Sequence, residues 1–206
     1  VMGAIIRAVD GLDLDKNDVA MISGIGCTGR MPVYVDFNTM HTTHGRALAF
    51  ATGLKMVKPE MKVLVVMGDG DALAIGGNHF IHAARRNMGL TAIVVNNSAY
   101  GMTGGQHSPT TPRGIKTATT PYGHIEQQFP IAELAATAGA SFVARSTVYH
   151  VRELEKYLAQ AIEKEGFALV EALSYCHTTL GRINRWGTAS DMMRQLKEQS
   201  VTLAQA

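Results

Sequence analysis

The sequence predicts a doubly wound α/β fold, a mostly parallel sheet with helices on both faces. Three observations carry that expectation. Short apolar runs alternate with stretches of helical spacing, the pattern of repeated βαβ units. Two of the runs, residues 62–68 (KVLVVMG) and 90–97 (LTAIVVNN), are continuous rather than alternating, as strands buried on both faces are. The chain has 206 residues and 46% of them are apolar, which suits one domain with an ample core.

Taken in order, the first element reads as an amphipathic helix with Ile5, Ile6 and Val9 on one side and Gly11 closing it. It opens without a capping residue, so further residues are expected ahead of Val1, and it lacks the form of a signal peptide. Residues 19–25 and 33–37 both look like strands. Residues 44–57 have helical spacing at Leu48, Ala51, Leu54 and Lys55, and Pro59 stops the run. The strand at 62–68 leads into a helix over 71–89, with Asp71 as N-cap and Gly89 just past the end. After the strand at 90–97 comes a polar loop to about Pro130, too long for a mere connector and therefore expected to be functional. A helix (130–139), a strand (141–146), a helix (151–166) and a strand (167–173) follow, with a last helix near 191–199. The expected division is an α/β domain over 1–175 and a C-terminal extension over 176–206.

Composition excludes several classes. A formal charge of +2 with no long Lys/Arg run gives no support to nucleic-acid binding. Two cysteines rule out a disulfide scaffold and suit a reducing cytoplasm. No apolar run approaches the ~18 residues of a membrane span.

Chemistry concentrates where strands are expected to end. The first strand runs into SGIGCTGR, a Gly-x-Gly-x-x-Gly match. A dinucleotide loop would need a helix opening from it and an acid about 20 residues on. Met31-Pro32 and an extended segment follow instead, and Asp36 comes too soon. The other two tips are more specific. One strand ends Gly68-Asp69-Gly70-Asp71 and the next ends Asn96-Asn97, one helix and one strand later. If those strands are neighbours, Asp69 and Asn97 reach one crevice. The helix after Asp69 would aim N–H groups at a phosphate, and a diphosphate beside a carboxylate needs a cation between them. Mg²⁺ takes oxygens in an octahedron, often from one or two protein groups plus phosphate. Asp69, Asn97 and the carbonyl of Ala99 are the expected donors. That is the thiamine diphosphate pattern.

With GIGCTGR, HTTHGRALAFATG, GDGDALAIGGNHF, NNSAYGMTGGQHSPTTP and SYCHTTLGR in order, the chain resembles the β subunit of 2-oxoacid:ferredoxin oxidoreductases, and most nearly the 2-oxoglutarate enzymes. The resemblance implies decarboxylation of a 2-oxoacid with thiamine diphosphate and Mg²⁺, one-electron oxidation toward ferredoxin, and acyl transfer to coenzyme A. It implies an α subunit that holds the aminopyrimidine. It places Asp69, Gly70, Asp71, Asn97 and Ala99 at the diphosphate and metal, with Gly68 in the same turn, and Gly26, Cys27, Thr28, His44, Gly101 and Met102 near the thiazolium. Cys27 and Cys176 match two of the four thiolates that hold a 4Fe–4S cluster in the family; the Cys-x-x-Cys that supplies the others is not in this sequence. Either residues ahead of Val1 carry it, as expected here, or this chain lacks the cluster. The alternatives to this function are a non-redox thiamine decarboxylase subunit and a non-catalytic subunit that keeps the fold.

Two further residues are candidates for catalysis: His44 as a hydrogen-bond donor and Arg30 as a bidentate partner for the substrate carboxylate. His41, His79 and His82 read as packing or hydrogen-bonded histidines. Arg85 and Arg86 read as a solvated helix face. The loop from Gly101 to about Gly123 reads as a lid or a partner interface, with Gly104-Gly105 as a hinge.

Overall fold

A computed structural model describes residues 1–202; the last four residues of the expected extension lie outside the described residues. The first half of the chain runs α1 (Met2–Gly11), β1 (Val19–Ser23), β2 (Asn38–His41), α2 (Ala47–Val57), β3 (Lys62–Gly68), α3 (Gly77–Arg85) and β4 (Thr91–Asn96). A short hairpin follows, β5 (Ala99–Tyr100) with β6 (Gln106–His107). Then come α4 (Ile131–Ala138), β7 (Phe142–Thr147), α5 (Val151–Glu163), β8 (Ala168–Leu173), α6 (Leu180–Ile183) and α7 (Ala189–Glu198). Six strands form one sheet in the order β2-β1-β3-β4-β8-β7, and every pairing in it is parallel. The fold class expected from the sequence is the one observed.

Strand alternation explains the double winding. Val63, Val65 and Met67 of β3 face one side with Leu48, Phe80 and Ile131 from α2, α3 and α4. Leu64 and Val66 face the other with Ile5 and Val9 of α1 and Leu154 and Leu158 of α5. Successive side chains of a strand point to opposite faces, so a strand covered twice must be apolar at every position. α7 starts at a capping box, Thr188 with Asp191. Among the described residues no helix is long and apolar enough to cross a membrane.

The structure corrects three local expectations. Residues 33–37 are not a strand: Thr28–Tyr34 is a 3₁₀ helix, and the strand is the next segment, β2, with all four residues exposed. The helix over 71–89 is broken. Asp71–Ile75 forms a π-turn, α3 proper begins at Gly77, and the helix stops at Arg85 with Asn87 at φ 49°, short of Gly89. The long polar loop contains the β5–β6 hairpin, with Gly104 and Gly105 at φ 115° and 89° in its turn.

Candidate functional site

The strand order reverses between β1 and β3, since the chain leaves β1 for β2 on one side and starts β3 on the other. In open α/β sheets ligands bind outside the carboxyl ends of the strands at such a switch point. The loop after β1 (residues 24–27) and the turn after β3 (residues 69–71) both lie there. β4 is the next hydrogen-bonded strand, with Gly68 opposite Val95. Asp69 and Asn97 therefore share one crevice, as the spacing predicted.

Their side chains meet the Ala99 carbonyl in that crevice. One terminal atom of the Asn97 amide lies 2.7 Å from the Ala99 carbonyl oxygen and 3.0 Å from Asp69 Oδ1. With nitrogen in that place the amide donates to both acceptors. With oxygen there, it faces two other oxygens at those distances. Oxygens at about 2.1 Å from an octahedral Mg²⁺ stand about 3 Å apart along each edge, near the two distances found.

Asp69 is 1% exposed, and its other oxygen, Oδ2, accepts from Ser108 Oγ (2.5 Å) and Thr110 Oγ1 (2.6 Å). Burial pushes its carboxyl above the ordinary aspartate range, and these hydroxyls offset only part of that rise. A bound cation reverses the sign by favouring the carboxylate. Ser108 and Thr110 come from the long loop, which is therefore a packed support for Asp69: Ser108, Thr110, Thr111 and Thr117 are all buried. Neither hydroxyl was singled out from the sequence.

Asp71 is not an N-cap. Its Oδ1 accepts from His44 Nδ1 (2.5 Å), from the Gly45 N–H (2.7 Å) and from the Ile25 N–H (3.3 Å). It ties the loop after β1, the turn before α2 and the turn after β3 into one unit. Its Oδ2 is buried without a hydrogen-bond partner and fills the place that a Cβ at Gly24 would take, so residue 24 must be glycine. His44 Nδ1 is committed to Asp71, and with its side chain 35% exposed the ring can present Nε2 outward. Gly70 has an ordinary helical φ of −66°. What excludes a side chain there is the Tyr100 ring, which a Cβ would strike; the Tyr100 hydroxyl donates to the Gly70 carbonyl (3.3 Å).

The sulfurs form the neighbouring wall. A Cβ built on Gly101 would stand 3.2 Å from Cys176 Sγ and 3.6 Å from Cys27 Sγ, so both thiols face one spot. Burial raises the Cys176 thiol, but hydrogen bonds from Thr178, Thr179 and the backbone outweigh it and hold the thiol below its ordinary range. Cys27 is exposed, Thr28 buried, Gly26 at φ 121°, and Met102 and Arg30 exposed. His41 pairs with Ser23 Oγ (2.8 Å) and His82 accepts from Arg85 (3.2 Å).

Comparison with known proteins identifies the family. The family described as thiamine pyrophosphate enzyme, C-terminal TPP binding domain, matches residues 24–172. The 2-oxoglutarate synthase subunit KorB of Archaeoglobus fulgidus is 57% identical over 199 residues, covering 96% of this chain and 72% of that protein. The subunit of the same name from Methanothermobacter thermautotrophicus is 48% identical over 206 residues, 100% of this chain and 72% of its own. A solved 2-oxoglutarate:ferredoxin oxidoreductase from Magnetococcus marinus, with 2-oxoglutarate, coenzyme A and succinyl-CoA bound, superposes with a TM-score of 0.85 at 34% identity, over 95% of this chain and 72% of that one. The sequence motifs, the parallel sheet with its switch-point site and these relatives together make the chain a member of the β-subunit family of 2-oxoacid:ferredoxin oxidoreductases.

Proposed function

We propose that this chain holds the diphosphate of thiamine diphosphate through Mg²⁺ bound by Asp69 Oδ1, Asn97 Oδ1 and the Ala99 carbonyl, within an enzyme that acts on 2-oxoglutarate. The observation that carries the reading is that one end of the Asn97 amide stands 2.7 Å from the Ala99 carbonyl oxygen and 3.0 Å from Asp69 Oδ1, where its oxygen would join theirs around a cation. When bound, thiamine diphosphate supplies the nucleophilic carbon and the electron sink for decarboxylation. The protein's part is to bind, orient and polarise. Ser108 and Thr110 fix the Asp69 carboxylate, and Asp71 fixes the His44 ring so that Nε2 can meet a polar group in the crevice. Arg30, exposed beside the loop after β1, is the candidate for the substrate carboxylate. Gly26, Cys27, Thr28, Gly101 and Met102 line the side assigned to the thiazolium.

The choice of 2-oxoglutarate rests on the names of the relatives and on the ligands in the Magnetococcus structure; an α-subunit partner, ferredoxin and coenzyme A follow from the same names. Two thiolates are half of the usual complement of a 4Fe–4S cluster, so this chain does not complete one by cysteine alone, and Cys27 and Cys176 are proposed as two of its ligands. Calorimetry on the intact α/β enzyme tests the metal site. Thiamine diphosphate is expected to bind tightly only with Mg²⁺ present, and equal affinity without a divalent ion contradicts the reading. Assays of several 2-oxoacids with coenzyme A and a low-potential acceptor test the substrate, with 2-oxoglutarate expected to give the highest kcat/KM.

A further inference from the structure

Glu171 sits in the middle of the apolar run of β8 and is 1% exposed. By strand alternation it occupies a core position on the face of α2, α3 and α4, opposite Val94 on one side and Arg145 on the other. An acid there is costly unless both oxygens are paired, and both are. Oε2 accepts from Arg145 Nε (2.7 Å), and Oε1 accepts from the Asn96 side-chain amide (2.8 Å). Arg145 is itself shared with Glu133 of α4 (3.6 Å).

The hydrogen bonds of Asn96 lead to the metal site. Its Oδ1 accepts from the Ser98 N–H (3.1 Å). Ser98 has φ 59°, a left-handed conformation that a non-glycine residue holds only when its surroundings impose it. The second restraint is Thr111 Oγ1, which donates to the Ser98 carbonyl (2.6 Å). Asn97 lies between two residues held in this way, and Ala99 follows directly. The two asparagines therefore divide the work: Asn97 faces the metal position, while both polar groups of Asn96 are committed to holding the turn.

We propose that Glu171 is a positioning residue for the metal site: anchored by Arg145, it holds Asn96 and, through the Ser98 turn, fixes the Asn97 amide and the Ala99 carbonyl against Asp69. The inference rests on the metal-site reading above. Its test is Mn²⁺ binding to the intact α/β enzyme with thiamine diphosphate present, followed by electron paramagnetic resonance, alongside the melting temperature without metal. Groups that orient metal ligands typically change affinity 10- to 100-fold, and Glu171→Gln is expected to weaken Mn²⁺ binding about tenfold with kcat at saturating metal little changed. Arg145→Met, at a side chain 42% exposed, tests the same link from its exposed end, should weaken Mn²⁺ in the same direction, and should be rescued by Arg145→Lys; it decides the matter if Glu171→Gln does not assemble. Unchanged Mn²⁺ affinity, with or without a lower melting temperature, overturns the proposal, because a purely structural role would move only the melting temperature. Wild-type enzyme that binds thiamine diphosphate equally well without any divalent ion overturns the metal-site reading itself.

Discussion

The two walls of the crevice are built differently. The tips of β3 and β4 are closed and over-determined: Asp69 is buried, two hydroxyls hold its outer oxygen, and the Asn97–Ala99 turn is restrained from both ends. The sulfur wall is open. Cys27 is exposed, Cys176 is buried, and the two thiols face one spot with no third cysteine in the chain. A hard divalent cation needs a few oxygens in a fixed array, which neighbouring parallel strands can supply by themselves. A cluster needs four thiolates, and this chain brings two. The oxygens of the first wall all belong to this chain, whereas its two thiols are half of a cluster's usual complement.

Substitutions can break or sharpen that contrast. Asp69→Ala should have the largest effect, reducing Mg²⁺-dependent thiamine diphosphate binding below detection by calorimetry; retained affinity would place the cation elsewhere. Asp71→Asn should lower turnover about 100-fold by loosening its hold on the His44 ring, with cofactor affinity within about threefold. Steady-state kinetics beside calorimetry would separate the two, and an equal loss in both would make Asp71 a binding residue only. Ser108→Ala removes one hydrogen bond to a carboxylate, commonly about 1.5–3 kcal/mol, and should weaken Mg²⁺ about tenfold while Thr110 keeps its hold. The smallest effect belongs to the other wall. Cys176→Ser should change Mg²⁺-dependent cofactor binding less than about twofold, and a larger change would join the two walls into one site.

Much of this was legible in the sequence because burial writes itself into strands. β3 and β4 are covered on both faces, so their apolar runs are continuous, and the polar residues that follow mark the tips. β2 left no such mark. It is paired only to β1, its four residues are all exposed, and the apolar Val33 and Tyr34 just ahead of it belong to a 3₁₀ helix. Asp71 has the local spacing of an N-cap, but its carboxylate is claimed by His44, Gly45 and Ile25 from elsewhere in the chain. Ser108 and Thr110 lie 39 and 41 residues from Asp69, with no periodicity to connect them. Glu171 did carry a signal, a lone acid inside the run FALVEAL, since a charge in a doubly covered strand must have dedicated partners.

The central claim is that one divalent ion lies among three oxygens of this chain. Anomalous diffraction at the manganese edge, on crystals of the α/β enzyme with Mn²⁺ and thiamine diphosphate, tests it most directly. The expected result is a single peak bonded to Asp69 Oδ1, Asn97 Oδ1 and the Ala99 carbonyl. A peak away from those atoms, or an Asn97 amide nitrogen still donating to Asp69 with cofactor bound, would contradict it.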